Sequence, residues 1–441
     1  CSEFSEYGGF LLDIFVTMRY DRGKLCERGV TMTQYNIYGD DIRFAGKTSY
    51  IMYFSLFEEA AAEQRMYTLP KEFQKAFPNA FYEDADHPIF HDFQIAQNFL
   101  HGGGLPFECW RVLLCDIPVS MEKASVYRLQ ILFTSFPEIN IGKLTFNLQF
   151  TDTPTSEMVY LHHCNSNGAK LYFEDGQAFS IKEIYDKILQ KLQFSGKHGQ
   201  IAHLIEINRF GAIDDVSYIM QHEKKRLYGI ISGDEGWNHI PEELASERIK
   251  ADWSSRDFVE FITFGSNFLL LNLIDSPAAQ HYRENQTNFG STYYGGMNPY
   301  FALNADIAGV NHGIIFSVEL VMAIKTIAHR ILEFQASFQK SRTGNFSDDI
   351  KRTKDYRREL IATLNRVENI DMTELGELEK VILTSQQITP IIDKIKYLLE
   401  LLESELDLMY QTRTNTIANM IAVLGLVLTI GSLILTWIGT F

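Results

Sequence analysis

The chain has 441 residues, of which 46% are hydrophobic and 22% are charged, and its formal net charge is −16. These proportions are ordinary for a globular chain. The acidic balance excludes a broad nucleic-acid-binding surface, which needs a basic face, but leaves room for a small basic pocket. The five cysteines are scattered and form no CxxC pair, a pattern that suits a reducing compartment better than a disulfide framework.

Residues 1–275 predict a mixed α/β soluble domain. Short runs rich in β-branched and aromatic residues predict strands at Phe10–Arg19, Ile51–Leu56, Trp110–Ile117, Tyr127–Thr134, Lys143–Thr151, Leu171–Glu174, Ile201–Ile207, Leu227–Ile231 and Asn267–Leu273. Helical periodicity predicts helices at Lys71–Ala76, Ile181–Leu192, Pro241–Lys250 and Ser255–Thr263.

Motifs in this domain provide no complete catalytic set. His101-Gly102-Gly103-Gly104 is similar to an esterase oxyanion loop, but the chain has no G-x-S-x-G nucleophile, so we expect no enzyme activity. Pro88 makes a continuous helix through His87 and His91 unfavourable. The densest group of ligand-type residues therefore favours no shared helical face for a metal, and the metal ligands of the chain stay unknown; the group comprises Glu83, Asp84, Asp86, His87, His91 and Asp92.

A short basic run, Lys224-Lys225-Arg226, precedes a predicted strand. Its three cations could bind a phosphate group, and a solvated loop is the other interpretation. We take Lys224, Lys225 and Arg226 as candidate ligand-binding residues. The Gly/Lys loop at Ser195–Gln200 does not match a phosphate-binding Walker A motif.

The second half of the chain predicts helices. A polar stretch rich in Gly and Asn, residues 276–304, marks a connector because the composition changes sharply there. An all-helical region is predicted over residues 305–389. Thr389-Pro390 then predicts the start of a new helix, since Thr can cap a helix and Pro is favoured in its first turn.

This last helix predicts a stalk over residues 390–413 and a membrane span over residues 414–441. The segment from Thr414 to Phe441 contains no charged residue, and roughly 20 apolar residues suffice to cross a bilayer core. An inner- or plasma-membrane protein with a cytoplasmic N-terminal domain is therefore expected. The lipid bilayer is its first predicted partner.

The same helix carries a continuous 3-4 seam, which predicts self-association around an axis. The seam comprises Ile391, Lys394, Leu398, Leu401, Glu405, Leu408, Thr412, Asn415, Asn419, Ala422, Leu426, Thr429, Leu433 and Thr436. Polar side chains inside a span face a partner helix or water. In a homo-oligomer the pore-lining residues would be Asn415, Asn419, Leu426, Thr429, Leu433 and Thr436. The alternative is that the amides and hydroxyls only hold helices together.

The segment Leu408–Val423, LMYQTRTNTIANMIAV, resembles the approach to the first membrane span in the CorA magnesium-channel family. In that family an Arg-x-Asn pair precedes the apolar run, and Arg413 and Asn415 match it. The order of an α/β cytosolic domain, a helical pair and one long helix entering the membrane is also similar. The resemblance implies a homo-oligomeric ion channel, with Mg²⁺ as the expected ion.

The chain departs from the family at its signature Gly-Met-Asn, which follows the first span. Residues 437–441 read WIGTF, and Gly296-Met297-Asn298 lies far upstream. Divergent CorA-like proteins without the signature are membrane effectors of type III CRISPR defence, opened by a nucleotide that joins S-adenosylmethionine to AMP. This resemblance implies a ligand-gated antiviral channel in which the α/β domain of residues 1–275 is the sensor. The alternatives are a magnesium or divalent-cation transporter and a single-span anchored sensor or scaffold that conducts nothing.

Overall fold

The computed structural model describes residues 43–44, 50–57, 63–77, 89–91, 110–136, 141–162, 169–194 and 200–285, helical positions between 314 and 361, and residues 374–439. All statements below concern these residues. The predicted strand Phe10–Arg19 and the Gly296-Met297-Asn298 turn lie outside them. So does most of the predicted connector.

The described strands are β1 (Arg43–Phe44), β2 (Tyr50–Phe57), β3 (Ile89–His91), β4 (Trp110–Pro118), β5 (Ser120–Met121), β6 (Val126–Phe136), β7 (Ile141–Phe150), β8 (Thr153–Pro154), β9 (Leu171–Tyr172), β10 (Ala178–Phe179), β11 (Gln200–Ile207), β12 (Trp253–Arg256), β13 (Val259–Phe264) and β14 (Asn267–Asn272). Nine of them form one sheet in the order β12-β13-β14-β11-β2-β7-β6-β4-β3. Only β11 and β14 pair in parallel within it; the other neighbours are antiparallel. The remaining described strands form two small sheets, with strand orders β1-β8 and β10-β9-β5.

The described helices are α1 (Glu63–Ala76), α2 (Thr155–Leu161), α3 (Ile181–Lys191), α4 (Val216–His222), α5 (Lys224–Ser232), α6 (Glu242–Arg248), α7 (Pro277–Asn285), α8 (Glu374–Ser385) and α9 (Ile388–Gly439). Further helical residues occur between 314 and 329 and between 348 and 361. The mixed sheet and helical content, together with the long apolar helix α9, agrees with the general features of the predicted fold class. A capping box begins α3, where Ser180 Oγ accepts from the Glu183 backbone N–H and Glu183 accepts from the Ser180 N–H.

Strand β7 shows how the sheet is covered. Its sequence alternates polar and apolar residues, yet all ten are buried, because both faces of the sheet are packed against helices. On the apolar face, Phe133 of β6 stacks on Phe194, just after α3, with ring centroids 5.0 Å apart. On the polar face, Lys143 forms a buried ion pair with Glu319 of the helical residues 314–329.

Two predicted elements were wrong in type. Leu227–Ile231, predicted as a strand, belongs to α5, where Leu227, Ile230 and Ile231 are buried at helical spacing. Ser255–Thr263, predicted as a helix, forms most of the β12–β13 hairpin. Residues 277–285 of the predicted polar connector form α7, whose Tyr282 packs against Phe258 at 5.5 Å between ring centroids. For the first two, tertiary contacts overrode the local sequence preference.

The helical region shares its core with the sheet. Buried residues between 314 and 329 belong to the same apolar cluster as the strands and the start of α9. A two-residue turn separates α8 from α9, and Gln387 adopts a left-handed conformation there, with φ 53°. Gln386 anchors this turn: its amide donates to the Gly265 carbonyl between β13 and β14, and it accepts from Lys325 Nζ at 2.9 Å.

Candidate functional site

Helix α9 is one uninterrupted helix of 52 residues, which corresponds to a length of roughly 78 Å. By length and composition it can cross a membrane, and none of its most apolar window is buried against the rest of the chain. Every residue from Gln411 to Ile430 is exposed. An apolar surface of this extent is unfavourable in water and is typical of a membrane or protein contact.

The soluble start of α9 has two opposite faces. The buried face packs against the rest of the chain and consists of Ile388, Ile392, Ile395, Leu398, Leu402 and Leu406. Large apolar residues remain on the opposite side, where Tyr397, Leu401 and Leu408 are 64%, 40% and 62% exposed. Leu398, which we predicted on the self-association seam, therefore belongs to the buried face. We call the side with Tyr397, Leu401 and Leu408 the free stripe.

The free stripe continues into the candidate membrane span. At about 100° per residue, Asn415, Asn419, Leu426 and Thr429 lie on the same side of the helix as Tyr397, Leu401 and Leu408. All four are exposed, and Thr429 Oγ1 donates to the Gly425 carbonyl at 2.7 Å. Leu433 and Thr436 are also part of α9 and fall at positions on the same side. By helical spacing, the six predicted pore-lining positions therefore fall within about 100° of one another around α9.

The candidate basic cluster begins α5 and does not form a loop. Arg226 is buried, its Nε donates to Glu223 Oε2 at 2.9 Å, and its Nη1 donates to Thr155 Oγ1 at 2.9 Å. The guanidinium also lies 5.4 Å from the ring centroid of Trp237. Lys225 Nζ is 3.8 Å from Glu242 Oε2, and Lys224 is half-buried. These contacts support the packing of α5, and ligand binding by Lys224, Lys225 and Arg226 stays a prediction.

A cavity of about 380 Å³ lies on the apolar face of the sheet. Its floor consists of Cys115 and Ile117 of β4 and Ile131 of β6, and all three are buried. Its walls come from the end of α1, from the β9–β10 hairpin and from α3, and they include Phe73, Phe77, Phe173 and Phe179. We name it the phenylalanine cavity. No sequence motif pointed to it, because its lining comes from five separate elements.

The polar groups of the phenylalanine cavity are Lys187 and Lys191 of α3, with Gln190, Asp175 and Gln177. Lys187 Nζ lies 3.2 Å from the ring centroid of Phe179, a cation–π geometry. Asp175 belongs to the hairpin turn, where its Oδ1 accepts from the Gln177 backbone N–H at 2.9 Å. Burial raises the pKa of the Cys115 thiol far above its ordinary value, and the nearby Asp116 raises it further, so the floor of the cavity is uncharged.

Groups of three or more metal-ligand side chains were not found among the described residues. The predicted acidic and histidine cluster around Glu83 lies outside the described residues, except that His91 belongs to β3. No family model, curated protein or solved structure matches the chain. The described residues define a protein with a mixed sheet, packed helices and one long C-terminal helix able to cross a membrane.

Membrane insertion should depend on the apolar part of α9. Replacing both Leu424 and Leu428 by arginine is expected to move most of the protein out of the carbonate-resistant membrane fraction, because each arginine at the centre of a span costs about 2.5–3.5 kcal/mol. Tyr397→Arg is the matched control, since Tyr397 is exposed on the same helix before the apolar run. Unchanged membrane retention of the double variant would show that another part of the chain carries the attachment.

Stability should fall as pH rises from about 4.5 to 7. Burial raises the pKa of Glu379 on α8 from 4.5 to about 7, and a hydrogen bond from Ser317 Oγ, 3.4 Å away, opposes the shift. The neutral acid is therefore favoured in the folded state. Glu379 therefore contributes fully to the free energy of unfolding below pH 4.5. This contribution is lost as the pH rises to 7, which lowers the free energy of unfolding by about 3 kcal/mol.

Thermal unfolding of wild type and Glu379→Gln between pH 4.5 and 8 tests this expectation. The variant should lose less stability over that range, because its amide stays neutral. Burial and the nearby Asp252 also raise the pKa of Glu260 to about 7. The stability of both proteins should therefore still fall to some extent as the pH rises. Parallel curves for the two proteins would contradict the role of Glu379.

Proposed function

We propose that the chain is a homo-oligomeric, CorA-like membrane channel whose soluble part gates ion passage along α9. The main support for this proposal is the free stripe, which no described residue covers. Asn415, Asn419 and Thr429 lie on the same side of α9 as this stripe. Apolar side chains exposed on a water-facing helix favour a partner helix. Amide and hydroxyl groups placed on the same line inside a span would then face the axis of the oligomer.

Around that axis, rings of Asn and Thr oxygens would replace part of the hydration shell of a cation, and rings of Leu426 and Leu433 could close the path by dewetting. Acidic residues at the end of the stalk, Glu400, Glu403 and Asp407, would enrich cations near the pore. The body would be cytoplasmic, at the inner or plasma membrane. This placement is supported by the scattered cysteines.

Gating would use the connection between the sheet and α9. Gln386 ties the α8–α9 turn to the β13–β14 turn, and Lys143 ties β7 to the helical residues around Glu319. A ligand that binds one arrangement of the soluble part more tightly shifts the population toward that arrangement. A change in the sheet would thereby reach the stalk. The ligand would be a nucleotide second messenger of the S-adenosylmethionine–AMP type, and the role antiviral defence.

Ion flux through the purified full chain in liposomes tests this proposal. Flux that appears on addition of the nucleotide messenger supports the ligand-gated channel. Flux controlled by Mg²⁺ alone would favour a divalent-cation transporter instead. If the protein is inserted and oligomeric but conducts no ion under either condition, the channel is contradicted and the anchored, non-conducting sensor replaces it.

A further inference from the structure

The phenylalanine cavity has the size and surface of a small-molecule site. Its volume of about 380 Å³ falls within the roughly 300–1,000 Å³ range of ligand pockets. A rigid floor supports it, because Cys115, Ile117 and Ile131 are held in the paired strands β4 and β6. Phe73 and Ile184 are also buried. A ligand entering this space would meet walls already held in place by the core.

Aromatic side chains dominate the walls and favour a flat ring system. The rings of Phe73 and Phe77 have centroids 4.7 Å apart, and those of Phe173 and Phe179 have centroids 5.9 Å apart. Phenylalanine faces and edges interact best with another aromatic ring in offset or edge-on geometry. Gln177 and Gln190 add amide groups that can donate to or accept from the edge of such a ring.

The charge of the lining is opposite in sign to that of the whole chain. The chain carries a net charge of −16, whereas the charged residues of the cavity are two lysines and one aspartate. The aspartate, Asp175, directs one oxygen to the backbone of its own turn. Lys187 is half-buried and Lys191 is exposed, so α3 presents ammonium groups to a ligand held between the phenylalanines.

We propose that the phenylalanine cavity binds a small planar aromatic anion, with its ring system between the phenylalanines and its anionic group on Lys187 and Lys191. A nucleoside monophosphate and an aromatic sulfonate both have this chemistry. Binding itself is independent of the channel. Only the effect of the ligand on ion flux rests on the proposed function.

Calorimetric titration of the purified full chain with AMP, 2-naphthalenesulfonate and uncharged 2-naphthol tests the proposal. Saturable binding is expected for at least one of the two anions. The double variant Lys187→Gln/Lys191→Gln should weaken anion binding by about tenfold or more, because charge-assisted hydrogen bonds are lost. It should leave naphthol binding within about twofold, since naphthol carries no charge.

Two further variants separate the cavity from general effects. Ala76→Phe places a ring at the half-buried end of α1, which lines the cavity, and should abolish binding of the anion by filling the space. Lys182→Gln removes an exposed lysine of α3 outside the cavity and should leave affinity unchanged. Absence of saturable binding by both anions, or binding that survives Ala76→Phe, would overturn the proposal.

The channel and the cavity can fail separately. Cavity-dependent binding without any change in ion flux would keep the site and remove its role in gating. Flux that responds to a nucleotide in the Ala76→Phe protein as in wild type would keep the channel and overturn this cavity as its ligand site.

Discussion

Lys143→Met is expected to destabilise the protein by about 3–5 kcal/mol, because it removes the ammonium group that pairs with the buried carboxylate of Glu319. Lys143 and Glu319 are both fully buried and paired between β7 and the helical region. Methionine keeps most of the volume of lysine, so the loss should come from the charge and not from a cavity. The measurement is the thermal unfolding midpoint of the purified protein.

The double variant Lys143→Met/Glu319→Leu should recover most of this loss, because replacing both members of the buried ion pair by apolar residues leaves no buried charge at either position. The exposed pair Arg357–Glu403, with 2.7 Å between Nη2 and Oε1, provides the control. Glu403→Gln should change stability by no more than about 1 kcal/mol. A double variant less stable than Lys143→Met would show that the ion pair is not the source of the effect.

Asn419→Leu is expected to lower ion flux by about tenfold or more, the equivalent of losing roughly 1.4 kcal/mol of ion stabilisation. Asn419 lies on the line that continues the free stripe, and its amide oxygen would contribute one ring of the pore. Flux is measured in liposomes from equal amounts of inserted protein, so that altered insertion does not enter the comparison.

Two control variants test whether the effect of Asn419→Leu comes from the loss of the amide at this position. Asn419→Gln keeps an amide and should retain flux within a few-fold of wild type. Met420→Leu changes the adjacent residue, which lies about 100° around the helix and is exposed, and should have no effect. Equal flux from Asn419→Leu and Met420→Leu would place the conduction path elsewhere or remove it.

Local sequence patterns predicted half of the described strands, including the long ones of the sheet, and the long helix. The strands Ile51–Leu56, Trp110–Ile117 and Ile201–Ile207 are confirmed within β2, β4 and β11, because each is a short, mainly apolar run that contains β-branched or aromatic residues. The helix predicted from Thr389-Pro390 begins at Ile388 and continues to Gly439. These elements could be found because their signal is contained in adjacent residues.

Short apolar runs were assigned less well. Leu227–Ile231 has five residues, too few to distinguish a buried helix from a strand by periodicity. The run lies within α5, whose Gly229 faces Trp237 so closely that an added Cβ would lie 2.5 Å from the Trp237 ring. That close approach depends on a residue outside the run, which the local pattern does not contain.

The sequence by itself predicted a long helix apolar enough to cross a membrane, which the structure places at Ile388–Gly439, and its spacing put Asn415, Asn419 and Thr429 on one side of that helix. Charge, length and helical spacing suffice for both conclusions.

Only the tertiary structure decided which side of the start of α9 is exposed among the described residues, that both faces of β7 are buried, and that two phenylalanines at the end of α1 and two of the β9–β10 hairpin line one cavity. Those features depend on contacts between residues far apart in the chain. A residue pattern specifies the faces of its own element, whereas the elements that cover those faces are chosen by packing of the whole core.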